Sequence, residues 1–201
     1  MKRHGNLYKH ITSYENLRMA HKNAQKGKKH YPKVVRVNAN EEEYLTGLQK
    51  QLQNKTFVNS EYKTFIKHGN KKDRIIYRLP YYPDRIVHHA IMNVCEEFWQ
   101  RSLIRDTYAA LKGRGIHDGV NRMKKFLKDR ENTQYCLKMD IKQFYPTIDN
   151  DILYNQILPQ KIKCKDTMWL FNKIAYSTKG LPIGNYLLRN WKKLYFRPFY
   201  W

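Results

Sequence analysis

The sequence predicts an α+β chain, and three observations predict it. Several stretches repeat apolar residues at helical spacing behind capping residues. Two β-rich runs are split by a Gly/Asn loop, and one stretch alternates strictly between apolar and polar positions. With 201 residues, 41% hydrophobic and 14% aromatic, the chain has the length of about one domain and enough apolar material to bury a core.

In chain order, a helix-compatible stretch from about Thr12 to Gln25 carries Leu17, Met19 and Ala20 and is ended by Gly27, Lys28-Lys29 and Pro32. Asn40 before Glu41, Glu42 and Glu43 predicts a second helix, whose apolar stripe is Tyr44, Leu45, Leu48 and Leu52. Tyr62–Lys67 and Arg74–Leu79, separated by His68-Gly69-Asn70-Lys71-Lys72, predict a hairpin with a basic tip. After Pro80 and Pro83, the run from Asp84 to about Arg101 is apolar enough to be a core helix. Gly113, Gly115 and Gly119 mark a loop into a helix near Val120–Lys128. In Gln134–Ile141, Tyr135, Leu137, Met139 and Ile141 alternate with Cys136, Lys138 and Asp140, which predicts a strand with a carboxylate at its end. Helices over about Asn150–Leu158 and Asp166–Ser177 follow, then the turn Lys179-Gly180-Leu181-Pro182-Ile183-Gly184 and an acid-free tail, Asn185–Trp201.

Lys+Arg number 39 and Asp+Glu 17, a net charge of +22. Self-repulsion on this scale is ordinarily offset by a polyanion, so nucleic acid is the expected partner; the plain alternative is a solvated basic face. From Met1 to Arg36 ten Lys/Arg face the single acid Glu15, which reads as a phosphate-tracking arm. No stretch approaches the roughly 20 apolar residues of a membrane span, and Met1-Lys2-Arg3-His4 has no apolar segment behind it. Cys95, Cys136 and Cys164 are odd in number and widely spaced, with neither a disulfide framework nor zinc-ligand spacing. The expected location is the cytoplasm, without membrane association.

Asp140, closing an apolar strand, is suited to hold Mg²⁺, a hard ion that takes oxygen ligands. The alternative role is to cap the following turn. The segments from about Lys63 to Gly184 together resemble a reverse transcriptase of bacterial retroelement type, most like the diversity-generating retroelement or group II intron enzymes. Asp140-Ile141-Lys142-Gln143-Phe144-Tyr145 resembles the family's first palm motif. That resemblance implies metal binding by the Asp140 carboxylate and the Ile141 carbonyl, with Tyr145 screening the sugar 2′ position. The hairpin resembles the fingers hairpin that holds the incoming triphosphate, with Lys67 and Arg74 the matching cations; a point charge and a guanidinium fork suit phosphate. Leu79-Pro80…Asp84-Arg85-Ile86-Val87 is similar to a fingers segment of these enzymes, and Tyr108-Ala109 through Gly113-Arg114-Gly115 is like the next. Gly180-Leu181-Pro182-Ile183-Gly184 resembles the palm turn that packs against the nascent pair. Ile183 stands where many members have glutamine and is similar to the error-prone members.

The charge pattern and the resemblance together divide the chain into three expected regions: a basic N-terminal helical arm (1–55), then, as the resemblance implies, fingers (56–132) and a partial palm (133–201). It implies Mg²⁺, with Mn²⁺ as the alternative, and as partners an RNA template, a DNA or RNA primer and dNTPs. Lys26, Lys28, Lys29, Arg85 and Arg114 are the candidate nucleic-acid contacts. The family pattern continues to a Ser-Gln pair where this chain has Leu188-Arg189, and its Tyr-x-Asp-Asp hairpin has no counterpart, since no Asp-Asp pair occurs in these 201 residues. Two-metal phosphoryl transfer needs more carboxylates than Asp140 supplies. The expectation is a chain inactive by itself, completed by an accessory protein or second polypeptide, or else a non-catalytic RNA-binding module.

Other candidates read as structural. His88 and His89 are adjacent on a helix and do not face one point. Asp149 and Asp151 suit a helix start. The aromatic tail (Trp191, Tyr195, Phe196, Phe199, Tyr200, Trp201) reads as the stub of a palm element, with base stacking as the alternative.

Overall fold

The computed structural model describes residues 2–69, 73–109, 111, 113–182 and 186–196. The fold is α+β: helices α1 (Leu7–Ile11), α2 (Tyr14–Ala24), α3 (Pro32–Ala39) and α4 (Glu41–Gln53), a hairpin of β1 (Lys63–Lys67) and β2 (Arg74–Arg78), then α5 (Ile86–Arg101), α6 (Ile116–Phe126), α7 (Phe144–Thr147), α8 (Lys165–Ala175) and α9 (Leu188–Phe196). Irregular helical turns at Tyr81–Arg85 and Ile152–Gln160 complete the list.

The core is built where α2 lies on α5. Leu17 and Ala20 of α2 meet a face of α5 carrying Ile86, Ala90 and Ile91, all fully buried. Complete burial of a Leu or Ile side chain contributes about 1.5–3 kcal/mol. Ser13 caps α2 by accepting from the Asn16 N–H at 3.2 Å. The Asn16 amide donates to the carbonyls of Ile11 and Ala90, both at 3.0 Å, fixing the α1–α2 corner to α5. Buried His21 joins three elements, with Nε2 at 2.8 Å from Asn38 Oδ1 and Nδ1 at 2.7 Å from the Tyr81 hydroxyl.

The N-terminal 55 residues, expected as a basic arm, are therefore part of this core: Leu7, Ile11, Val34, Leu45, Leu48 and Leu52 are buried in it. Their cations lie on its outer surface, because the helices are amphipathic. Helix α2 stops as expected, at Ala24 ahead of Gly27 and Lys28-Lys29, and Pro32 also opens a further helix, α3; proline at the first helical position lacks only an N–H that would have no helical partner. The hairpin forms in the expected place, pairing Lys63 with Arg78 and Lys67 with Arg74.

The expected strand over 134–141 is a correction. These residues form no regular element, and Tyr135, Leu137 and Met139 are 94%, 81% and 80% exposed. Alternation makes an apolar face, but a strand also needs a neighbour for its backbone groups. Among the described residues none pairs with it. The tail holds a further difference: α9 is a helix with Trp191 fully buried against Phe171, ring centroids 5.2 Å apart, so this part of the tail is core. Phe199, Tyr200 and Trp201 lie outside the described residues. The N-terminus is tied down too, since His4 donates to the Lys161 carbonyl at 2.7 Å and accepts from the Lys163 N–H at 2.9 Å. Among the described residues no helix is long and apolar enough to cross a membrane.

Candidate nucleic-acid interface

Three segments distant in sequence converge at the base of the hairpin. Gly27, at φ +69, ends α2 in the left-handed conformation that glycine adopts without strain. The turn it starts is closed by Lys28 N–H donating to the Gln25 carbonyl (2.8 Å) and Tyr31 N–H donating to the Lys28 carbonyl (3.0 Å). Lys28 and Tyr31 thereby reach a cleft of about 320 Å³ whose other walls include Tyr62 just before the hairpin, Tyr77 and Arg78 within it, Arg85 before α5, and Tyr186, with Phe65, Ile76, Leu79 and His88 completing the lining.

The electrostatics of this cleft are one-sided. No carboxylate lines it, and Lys28, Arg78 and Arg85 form no salt bridge among the described residues. Burial, and then the nearby Arg85 and Arg78 guanidiniums, hold the Lys28 ammonium below its ordinary pKa. Burial and Arg78 likewise push Arg85 down. His89 beside the cleft is lowered to about 4, first by burial and then by Arg85, Lys28 and Lys26. Its ring stacks on Tyr186 at 4.6 Å and 20°. Like charges gathered without a counter-charge form a site whose repulsion an anion relieves, and the tyrosines Tyr31 and Tyr62 add aromatic surface beside them.

At the other end of the hairpin Lys67 pairs in register with Arg74, both exposed. Four residue steps separate this pair from Arg78, about 13 Å along an extended strand. The neighbouring His68 is 3.1 Å from Asp73. Lys71 and Lys72 lie outside the described residues.

Asp140 and Ile141 lie on the exposed 134–141 segment, and Asp140 Oδ1 accepts from the adjacent Ile141 N–H at 2.9 Å. Among the described residues no group of three or more His, Cys, Asp or Glu is placed to hold a metal ion. One solvent-exposed carboxylate does not make a cage for two cations, so the residues present do not fit a two-metal centre.

Tyr145 is more firmly placed. Its carbonyl accepts from the Leu181 N–H at 2.9 Å, and a Cβ on Gly180 would come within 2.7 Å of that oxygen and 2.8 Å of the Pro146 carbonyl. Gly180 has φ +67, so both its conformation and this approach require glycine. Lys192 sits 4.8 Å from the centre of the Tyr145 ring and donates to its hydroxyl at 3.3 Å. Ile183 and Gly184, from the same turn, lie outside the described residues.

Of the other predicted contacts, Lys26 and Lys29 are exposed on the turn that carries Lys28. Arg114 is turned to structural use, donating to the carbonyls of Ile104 (3.1 Å) and Arg105 (3.0 Å). Asp149 caps the turn after it, accepting from the Asp151 and Ile152 N–H groups at 2.8 and 3.0 Å. Sequence reading singled out Lys28 and Arg85 but missed Arg78, Tyr31, Tyr62 and Tyr186. A signal for Arg78 was present: in Arg74-Ile75-Ile76-Tyr77-Arg78 the period of two puts both arginines on one strand face. Searched against protein-family models and curated proteins, the chain matches none.

Proposed function

We propose that this chain is a reverse transcriptase-like nucleic-acid-binding protein, corresponding to the fingers and part of the palm of that enzyme class. The observation that carries the reading is the contact between Tyr145 and the Gly180-Leu181 turn. Two segments singled out for the same resemblance, far apart in sequence, meet backbone to backbone. The net charge of +22 and the uncompensated cations at the hairpin base support RNA as the partner.

In this reading Lys67 and Arg74 at the hairpin tip hold the triphosphate of a dNTP, and Tyr145, steadied by Lys192, lies against its sugar. The protein contributes positioning and charge. Nucleotidyl transfer is not assigned to the chain by itself. The carboxylates that would accompany Asp140 have to come from outside these 201 residues, and without them the chain acts as an RNA-binding module.

Primer extension on an RNA template with dNTPs and Mg²⁺, comparing the chain with Asp140→Ala, tests this together with RNA binding at several salt concentrations. The expected result is no incorporation by either protein and salt-sensitive RNA binding by both. Incorporation that disappears in Asp140→Ala would assign catalysis to the chain itself. Loss of all RNA binding at low salt would end the reading.

A further inference from the structure

The cleft at the hairpin base is a different place from the hairpin tip, about 13 Å away along the strands. It combines two kinds of wall. Lys28, Arg78 and Arg85 line it with no acid among the lining residues, and Tyr31 and Tyr62 supply aromatic surface. Each property alone has an ordinary explanation: basic surfaces attract any polyanion, and tyrosines fill gaps. Together they match the two halves of a nucleotide, a phosphate and a flat base. Size then selects. At about 320 Å³ the cleft is at the small end of ligand sites, and a base still paired and stacked in a helix does not enter it.

We propose that this cleft takes one unpaired nucleotide, its phosphate between Lys28, Arg78 and Arg85 and its base against Tyr31 and Tyr62, so that the chain prefers single-stranded to duplex RNA. The nucleotide is either a residue within a strand or a free mononucleotide. This rests on nucleic acid being the partner of the chain, and it adds a site, a stoichiometry of one base and a strand preference.

Fluorescence anisotropy of the full chain with a labelled 12-nucleotide single-stranded RNA, and with the blunt duplex of the same sequence, tests it. The variants are Lys28→Gln/Arg78→Gln and Tyr31→Ala. The charge-matched control is Lys50→Gln/Lys173→Gln, two exposed lysines outside the cleft. Circular dichroism melts establish that each variant is folded. The cleft pair should lower single-strand affinity by about tenfold or more beyond the control, and the slope of log affinity against log salt should fall by about 1.4 for two lost phosphate contacts. Tyr31→Ala should lower it by about tenfold with the salt slope unchanged, a result that a purely electrostatic patch would not produce. Duplex binding should respond to the cleft variants no more than to the control.

Competition with AMP assigns the source. Displacement of the labelled strand by AMP in wild type but not in Tyr31→Ala identifies a site for free nucleotides, and its absence identifies a strand residue. Equal losses on single strand and duplex, or losses equal to the control, would overturn the cleft while leaving RNA binding intact. Failure to bind either RNA at low salt would overturn the cleft and the proposed function together.

Discussion

Helices α5 and α6 are both amphipathic, yet they are held in place by different forces. The apolar face of α5 is buried against α2, with Ile86, Ala90, Ile91, Cys95 and Trp99 at 0–1% exposure. In and just after α6, Ile116, Val120, Met123, Phe126 and Leu127 form a comparable stripe, and it is 44–75% exposed. What attaches α6 is polar: Arg105 to Asp118 at 3.0 Å and Arg122 to Asp106 at 3.1 Å, with the Tyr108 ring over Gly119. Exposed ion pairs contribute little and weaken with salt. The pattern of a helix thus tells which face is suited to burial. Whether it is buried depends on a partner, and among the described residues α6 and the 134–141 stretch have none covering these faces.

The largest effect is expected at Trp99, on the buried face of α5. Trp99→Ala should cost about 3–5 kcal/mol in urea unfolding, since it opens a cavity beneath Phe171; a loss under 1 kcal/mol would mean that α5 is not the centre of the core. A smaller effect follows from half-buried His89 in the first turn of the same helix. Its folded pKa of about 4 lies below the ordinary 6.5, so the unfolded chain takes up the proton first. Its contribution to stability is present above pH 6.5 and is lost as pH falls towards 4. The free energy of urea unfolding should drop over that interval by on the order of 1–2 kcal/mol, with a shallower drop in His89→Gln. The smallest effect sharpens the other side of the comparison. Val120→Ser/Met123→Ser in α6 should change stability by no more than about 0.5 kcal/mol, because no packed contact is lost; a loss comparable to Trp99→Ala would show α6 to be buried in solution.

Sequence reading was most reliable where one segment decides its own structure. The acids behind Asn40 and the stripe of Leu45, Leu48 and Leu52 are sufficient to specify α4, and the β-rich runs around Gly69 to specify the hairpin. It failed where a local signal has two meanings. Tyr135-Leu137-Met139-Ile141 alternates with or without a sheet to join, and Pro32, read only as part of a stop, also serves as the first residue of α3. The candidate interface was half legible. Lys28 and Arg85 stood out by charge, while Tyr31, Tyr62 and Tyr186 became neighbours of those cations only through the tertiary fold, which brings these separate segments to one cleft. Residues carried over with the resemblance fared unevenly in their surroundings: Tyr145 is anchored by Leu181 and Lys192, and Asp140, in solvent, bonds only the N–H of its neighbour Ile141 among the described residues.

The unbalanced cations at the hairpin base also bear on how the protein behaves at the bench. Any ion that settles among Lys28, Arg78 and Arg85 binds the folded form in preference to the unfolded one and raises the melting temperature by mass action. Stability then becomes a property of the buffer as well as of the chain: phosphate, sulfate or heparin left from a column will each register as a different protein, and co-purified cellular RNA as a more stable one. The absorbance ratio at 260 and 280 nm belongs beside every melting curve recorded for it.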